Sequence, residues 1–143
     1  PQVMTGYLNN PEATAATIDA EGWLHTGDVA IIDEHGHMTI VDRLKELIKV
    51  KGFQVAPAEL EALIITHPKV ADVAVIGVPD DEAGESPKAF VTAVPGETVT
   101  LDEIQALVSE HLVSYKQIRQ LEVIDEIPKS AAGKILRKEL RAR

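Results

Sequence analysis

At 143 residues, with 45% apolar and 26% charged, the chain has a globular balance and the length of one ordinary domain, or of one small domain plus the tail of another. It has no cysteine, which excludes a disulfide framework and a thiolate metal site, and no apolar run near the ~18 residues that a membrane helix needs. The net charge of −9 is uneven: residues 129–143 hold six basic side chains and one acid, against eight basic and 22 acidic in the rest, so the acidic body argues against a nucleic-acid surface. The basic end can meet a phosphate-bearing small molecule, an acidic partner surface or only solvent. Aromatics are 3%, so the core must come from Val, Ile, Leu and Ala. The start PQVMTGYLNN lacks a basic region followed by an apolar stretch, so no export signal is expected and a cytoplasmic location is. A first residue of Pro1 instead of Met suits a piece of a longer protein or a processed terminus.

In chain order, Asn10-Pro11 followed by EATAATI predicts a short helix capped by Asn10. VAIID and MTIVD around EHGH predict a hairpin turning at Gly36. LIKV reads as a strand, Lys51-Gly52 as a turn, and APAELEALIITHP as a helix with Leu60, Leu63 and Ile64 on one face, stopping at Pro68. VADVAVIGV is a strand ended by a loop, PDDEAGES, and residues 88–94 form another strand, expected to pair with it. TLDEIQALVSEHL is a helix with a Thr100–Glu103 capping box and an apolar stripe of Ile104, Leu107, Val108 and Leu112. LEVIDEI is a strand, PKSAAGK a flexible loop and ILRKELRAR a final short helix. The order implies an α+β fold, a small sheet with helices packed on it, preceded by a β-hairpin tail; the boundary falls near residues 43–45.

Three stretches carry chemistry. In GWLHTGD, residues 22–28, the Asp28 carboxylate stands at a loop-to-strand junction, where it can accept two ribose hydroxyls or simply cap the strand. In RLKELIKVKG, residues 43–52, Arg43, Lys45, Lys49 and Lys51 approach Gly52, which suits phosphate or carboxylate binding or, equally, a basic strand edge that blocks aggregation. In PKSAAGKILRKEL, residues 128–140, Lys134 follows a small-residue loop and can act as a mobile point charge or as part of a solubilising tail. This is no P-loop, because Ile135 stands where Ser or Thr is needed. His35-Gly36-His37 lies in a turn without further ligands, so no metal site is expected.

Taken together, in this order and spacing, GWLHTGD, DRLKELIKVKGFQVAPAELE and PKSAAGKILRKEL resemble the adenylate-forming enzyme superfamily, and within it the 4-coumarate–CoA ligase, fatty-acid–CoA ligase and luciferase branch. The likeness covers nearly the whole chain and includes GYLNNPEATAATIDAEGWLHTGD, typical of the end of that family's large N-terminal domain. It implies that residues 1–44 close that N-terminal adenylation domain and that 45–143 form its small mobile C-terminal lid. It further implies that Asp28 and Arg43 hold the nucleotide, that Lys45 is the hinge, and that Lys49 and Gln54 meet the acyl-adenylate. Lys51 and Gly52 would line the CoA route, and Lys134 would be the catalytic lysine of adenylation. The implied co-substrates are ATP with Mg, bound mainly by the N-terminal domain, CoA and a carboxylic acid, aryl or fatty. The phosphate loop, adenine site and acyl pocket of that family are not in these residues, so the isolated chain is expected to be inactive. A second reading is a free-standing module that binds CoA or docks on a separate N-terminal subunit.

Overall fold

The computed structural model describes residues 2–143, leaving out Pro1. Helix α1, Pro11–Thr17, begins as expected: Ala13 N–H donates to Asn10 Oδ1 at 3.0 Å and Pro11 fills the first turn, where no N–H is needed. Strands β1, Asp28–Ile32, and β2, Met38–Arg43, form an antiparallel hairpin in a sheet of their own, with a register shift at Val29/Ala30. Its turn is tied down by Asp33, whose Oδ1 accepts the N–H groups of His35 and His37. Ile31, Ile32, Met38 and Ile40 on this hairpin are all more than half exposed.

The remaining strands share one sheet. They are β3, Ile48–Val50; β4, Phe53–Val55; β5, Val70–Asp80; β6, Gly84–Ala93; and β7, Gln120–Val123. The order is β4-β3-β6-β5, all antiparallel, with β7 parallel to β6 through Lys88–Val91. Since β5 takes one edge of β6, the β3–β4 hairpin and β7 share the other edge, the hairpin at Gly84 and β7 further along. The helices are α2, Pro57–Ile64; α3, Leu101–His111; and α4, Arg137–Arg141, with a 3-10 turn at Ser114–Lys116.

Strand alternation divides the core. Val73, Val75, Ala89 and Val91 pack with Leu60, Ile64, Ile104 and Val108 of α2 and α3. Their neighbours Ala74, Ile76 and Phe90 turn the other way, onto Ile124, Ile127 and Leu140. Both faces of β5 and β6 are therefore covered, which explains why these strands read as continuous apolar runs instead of alternating ones. The α+β arrangement expected from the sequence is the one observed.

Three local expectations need correction. Phe53–Val55 is a strand of its own, too short to leave a periodic signal. The loop PDDEAGES is mostly strand: β5 runs to Asp80 and β6 begins at Gly84, because Asp80 Oδ1 accepts the N–H groups of Glu82 and Ala83 and closes the turn tightly. The last helix starts at Arg137, not at Ile135, which is bridged to Lys129.

Candidate functional site

Asp28 and Arg43 are register partners at the open end of the β1–β2 hairpin. Arg43 Nε stands 3.4 Å from Asp28 Oδ1, with the carboxylate side chain 26% exposed and the guanidinium 66%. Two backbone links hold this end: Asp28 N–H donates to Thr26 Oγ1 and Leu44 N–H to Gly27 O. An ion pair this exposed contributes only about 0–1 kcal/mol to stability, so folding alone gives little reason for it.

Lys49 and Gln54 face each other across β3 and β4, which places their side chains on one surface of the ribbon. The turn between them has φ +49 at Lys51 and +84 at Gly52. Two successive left-handed residues are what a type I′ hairpin turn requires. A Cβ on Gly52 would meet nothing within 4 Å, so glycine is needed here for its φ and not for space. Lys51 N–H donates to Ala83 O at 2.8 Å and Lys49 N–H to Glu85 Oε2 at 2.8 Å, which fastens the hairpin to the β5–β6 turn while both lysine side chains stay exposed. Phe53 stacks on Tyr115 with ring centroids 4.4 Å apart and planes 11° from parallel. Beside this turn opens a groove of about 680 Å³ whose walls include Lys51, Asp80, Ser86, Tyr115 and Arg119. The Asp80 carboxyl is held below its usual range by the N–H groups of Ala83 and Glu82.

The loop before α4 is not the floppy tether its Ser-Ala-Ala-Gly composition suggests. Ser130 N–H donates to Lys134 O, Lys134 N–H to Ser130 Oγ and Gly133 N–H to Ser130 O, with Gly133 at φ +76. The result is a closed turn that leaves the Lys134 side chain exposed and, among the described residues, without an ion-pair partner. Its basic neighbours are mostly engaged. Lys129 meets Asp72 at 2.5 Å, Arg137 meets Glu61 at 2.6 Å, Arg141 meets Glu46, and Arg143 lies 3.6 Å from Glu122. The basic end is thus pinned to the acidic body by paired charge, and Lys134 and Lys138 are left over.

Glu61 is central to that pinning. Its Oε1 accepts Val75 N–H at 2.8 Å and the Arg137 guanidinium, and Arg137 Nε donates to Val75 O at 3.3 Å. These bonds satisfy the outer edge of β5, which would otherwise offer unpaired backbone groups. Burial pushes the Glu61 carboxyl up, opposed by Val75 N–H and Arg137. No sequence signal marks this pair, because 76 positions separate its members.

Two sets of cations are therefore brought to separate places. The 129–135 loop is anchored at Asp72 and the Lys51 turn beside Asp80–Gly84. The stretch of β5 between Asp72 and Asp80 spans roughly 26 Å at the usual strand rise. Lys45 lies between the hairpin and the sheet, exposed, in the turn closed by Glu46 N–H donating to Arg43 O. Among the described residues no group of three or more His, Cys, Asp or Glu is placed to hold a metal, and no helix is long and apolar enough to cross a membrane. His37 is engaged with Asp33 at 2.9 Å.

Comparison with known proteins places the chain among relatives. The chain is 60% identical to 4-coumarate-CoA ligase 1 of Narcissus pseudonarcissus over 142 residues, 99% of this chain and 26% of that protein. It is 58% identical to 4-coumarate--CoA ligase 2 of Nicotiana tabacum over the same shares of the two chains. It thus spans about a quarter of the length of the curated relatives it matches. Among solved structures, ATP-bound MatB from Rhodopseudomonas palustris is similar with a TM-score of 0.91 and 33% identity, over 98% of this chain and 28% of that one. A Mycobacterium tuberculosis fatty acyl CoA synthetase, 41% identical over the same shares, has a TM-score of 0.72. Residues 59–134, more than half of the chain, match the AMP-binding enzyme C-terminal domain, and the chain belongs to that family.

Proposed function

We propose that this chain is the C-terminal part of an ATP-dependent carboxylate–CoA ligase, with residues 1–44 ending a large N-terminal domain and 45–143 forming a mobile lid. The observation that carries this reading is the separation of two unpaired cation sets along one β5–β6 ribbon: Lys49 and Lys51 at one end, Lys134 toward the other. A two-step reaction with opposite demands suits such a layout. In the first step a carboxylate oxygen attacks the α-phosphorus of ATP and pyrophosphate leaves. Negative charge gathers between carboxylate and triphosphate, so a cation placed there lowers the barrier. Lys134 is that cation, its side chain free to act because its backbone and the side chains of its neighbours hold the loop. In the second step the CoA sulfur attacks the acyl carbonyl, AMP leaves and the thiol proton goes to solvent or base. That step needs Lys134 withdrawn and a way in for a thiol, which the turn at Lys51 and Gly52 lines beside the groove.

Asp28 accepts the ribose hydroxyls and Arg43 supports the same nucleotide; their exposed pairing leaves both groups accessible. Lys49 and Gln54, side by side, meet the acyl-adenylate. Lys45 is the hinge on which the lid turns. ATP, with its Mg, is held mainly by the N-terminal domain. The acid is aryl or fatty, the setting cytoplasmic, and the isolated chain inactive.

Lys134→Ala in the intact enzyme tests the reading. Acid-dependent pyrophosphate exchange should be lost, while thioester formation from supplied acyl-adenylate and CoA persists. Equal loss of both half-reactions contradicts the two-ended lid.

A further inference from the structure

Helix α2 begins without a cap of its own. Its cap position is Ala56, which has no side-chain acceptor, and Pro57 has no N–H to offer. Glu59 N–H turns back to Ala56 O at 3.2 Å. The remaining donor of the first turn, Ala58 N–H, is met by a residue from another element: Asp42 Oδ2, on β2, accepts it at 3.0 Å. The second oxygen of Asp42 accepts Arg43 N–H at 2.7 Å, which fixes the carboxylate in the plane it needs. Among the described residues no other side-chain hydrogen bond or ion pair joins residues 2–44 to residues 45–143; Arg43 pairs within the hairpin, and Glu46, Lys49 and Arg141 bond within the sheet domain.

We propose that Asp42 is a positioning residue that latches the lid to the β1–β2 hairpin in one of its orientations by lending α2 its N-cap. The inference rests on Lys45 being the hinge. If residues 42 and 58 lie on bodies that turn relative to each other, this bond holds in one orientation and leaves Ala58 N–H to water in the other. A cap from outside the helix therefore does what a local Ser or Asp at position 56 could not: it makes helix stability depend on lid orientation. Removing it shifts the balance between orientations, and with it the balance between the two half-reactions.

The test compares Asp42→Ala and Asp42→Asn in the intact enzyme, measuring acid-dependent pyrophosphate exchange and thioester formation from supplied acyl-adenylate. Asparagine keeps an oxygen acceptor for Ala58 N–H and caps about as well as aspartate. The alanine variant should change the ratio of the two rates about fivefold or more, the size expected from losing a cap, and asparagine should return it to within about twofold. Hydrogen exchange at the Ala58 amide should quicken in the alanine variant alone. A lowered melting temperature with an unchanged ratio, or parallel loss of both rates, overturns the latch. An unsubstituted enzyme that makes no acyl-adenylate overturns the ligase reading as well, so the two failures are told apart.

Discussion

The β3–β4 turn and the 129–135 loop both present lysines to solvent beside a left-handed glycine, Gly52 in one and Gly133 in the other, yet they are fixed by different means. The β3–β4 turn is bonded outward, its backbone N–H groups reaching Ala83 and Glu85 across the sheet. The 129–135 loop is bonded to itself through Ser130 and is held in place by salt bridges on its flanks, Lys129 to Asp72 and Arg137 to Glu61. In both, the anchoring is left to backbone groups and neighbours, so Lys49, Lys51 and Lys134 are not consumed in folding. In the basic tail four cations are paired, and Lys134 and Lys138 are not, among the described residues.

The largest expected effect separates the two regions by chemistry. Lys134→Ala should lower pyrophosphate exchange by about a hundredfold to a thousandfold, the range for removing a stabiliser of developing charge. The same change should leave the melting temperature almost unmoved, because the side chain is exposed and unpaired. Next is the anchor of the loop. Arg137→Ala leaves Glu61, 15% exposed, without its cation and should destabilise the fold by about 3 kcal/mol in urea unfolding. Because Glu61 already has a raised carboxyl pKa, the folded state holds its proton better than the unfolded one. Its contribution to stability therefore falls as pH rises from about 4.5, and by more in the variant, where only Val75 N–H is left to oppose the burial.

Gly52→Val probes the other region. A β-branched residue at φ +84 should strain the turn by about 1–3 kcal/mol and slow thioester formation more than adenylation, in stopped assays of the two steps. The smallest effect lies away from both. Glu103 is held down to about 2 by Lys69 and by the N–H and hydroxyl of Thr100. Its folded pKa is below the unfolded one, so its stabilisation is present above the ordinary carboxylate range and fades as pH falls from 4.5 toward 2. Glu103→Gln should flatten that part of the stability–pH curve without altering either lysine region.

What could be read from sequence was what is local. The capping box of α3, the cap of α1 and the Lys51-Gly52 turn depend on residues within a few positions of each other, and all three are present. The clustered motifs also marked the lysines and the Asp28–Arg43 region, since their signal is order and spacing along the chain. What could not be read was non-local. Arg137 finds Glu61 only after α4 has folded back across β5, and Asp42 caps α2 only because β2 ends beside it. Strand β4 was missed because three residues carry no period, and the tight 129–135 loop because its side chains look flexible while its backbone bonds are invisible in composition.

In the proposed function one lid serves two half-reactions with two separate cation sets. Its most direct test is the ratio of adenylation to thioester formation in Lys134→Ala and in Gly52→Val, measured side by side in the intact enzyme. The ratio should fall in the first and rise in the second. Movement of both ratios in the same direction would contradict it.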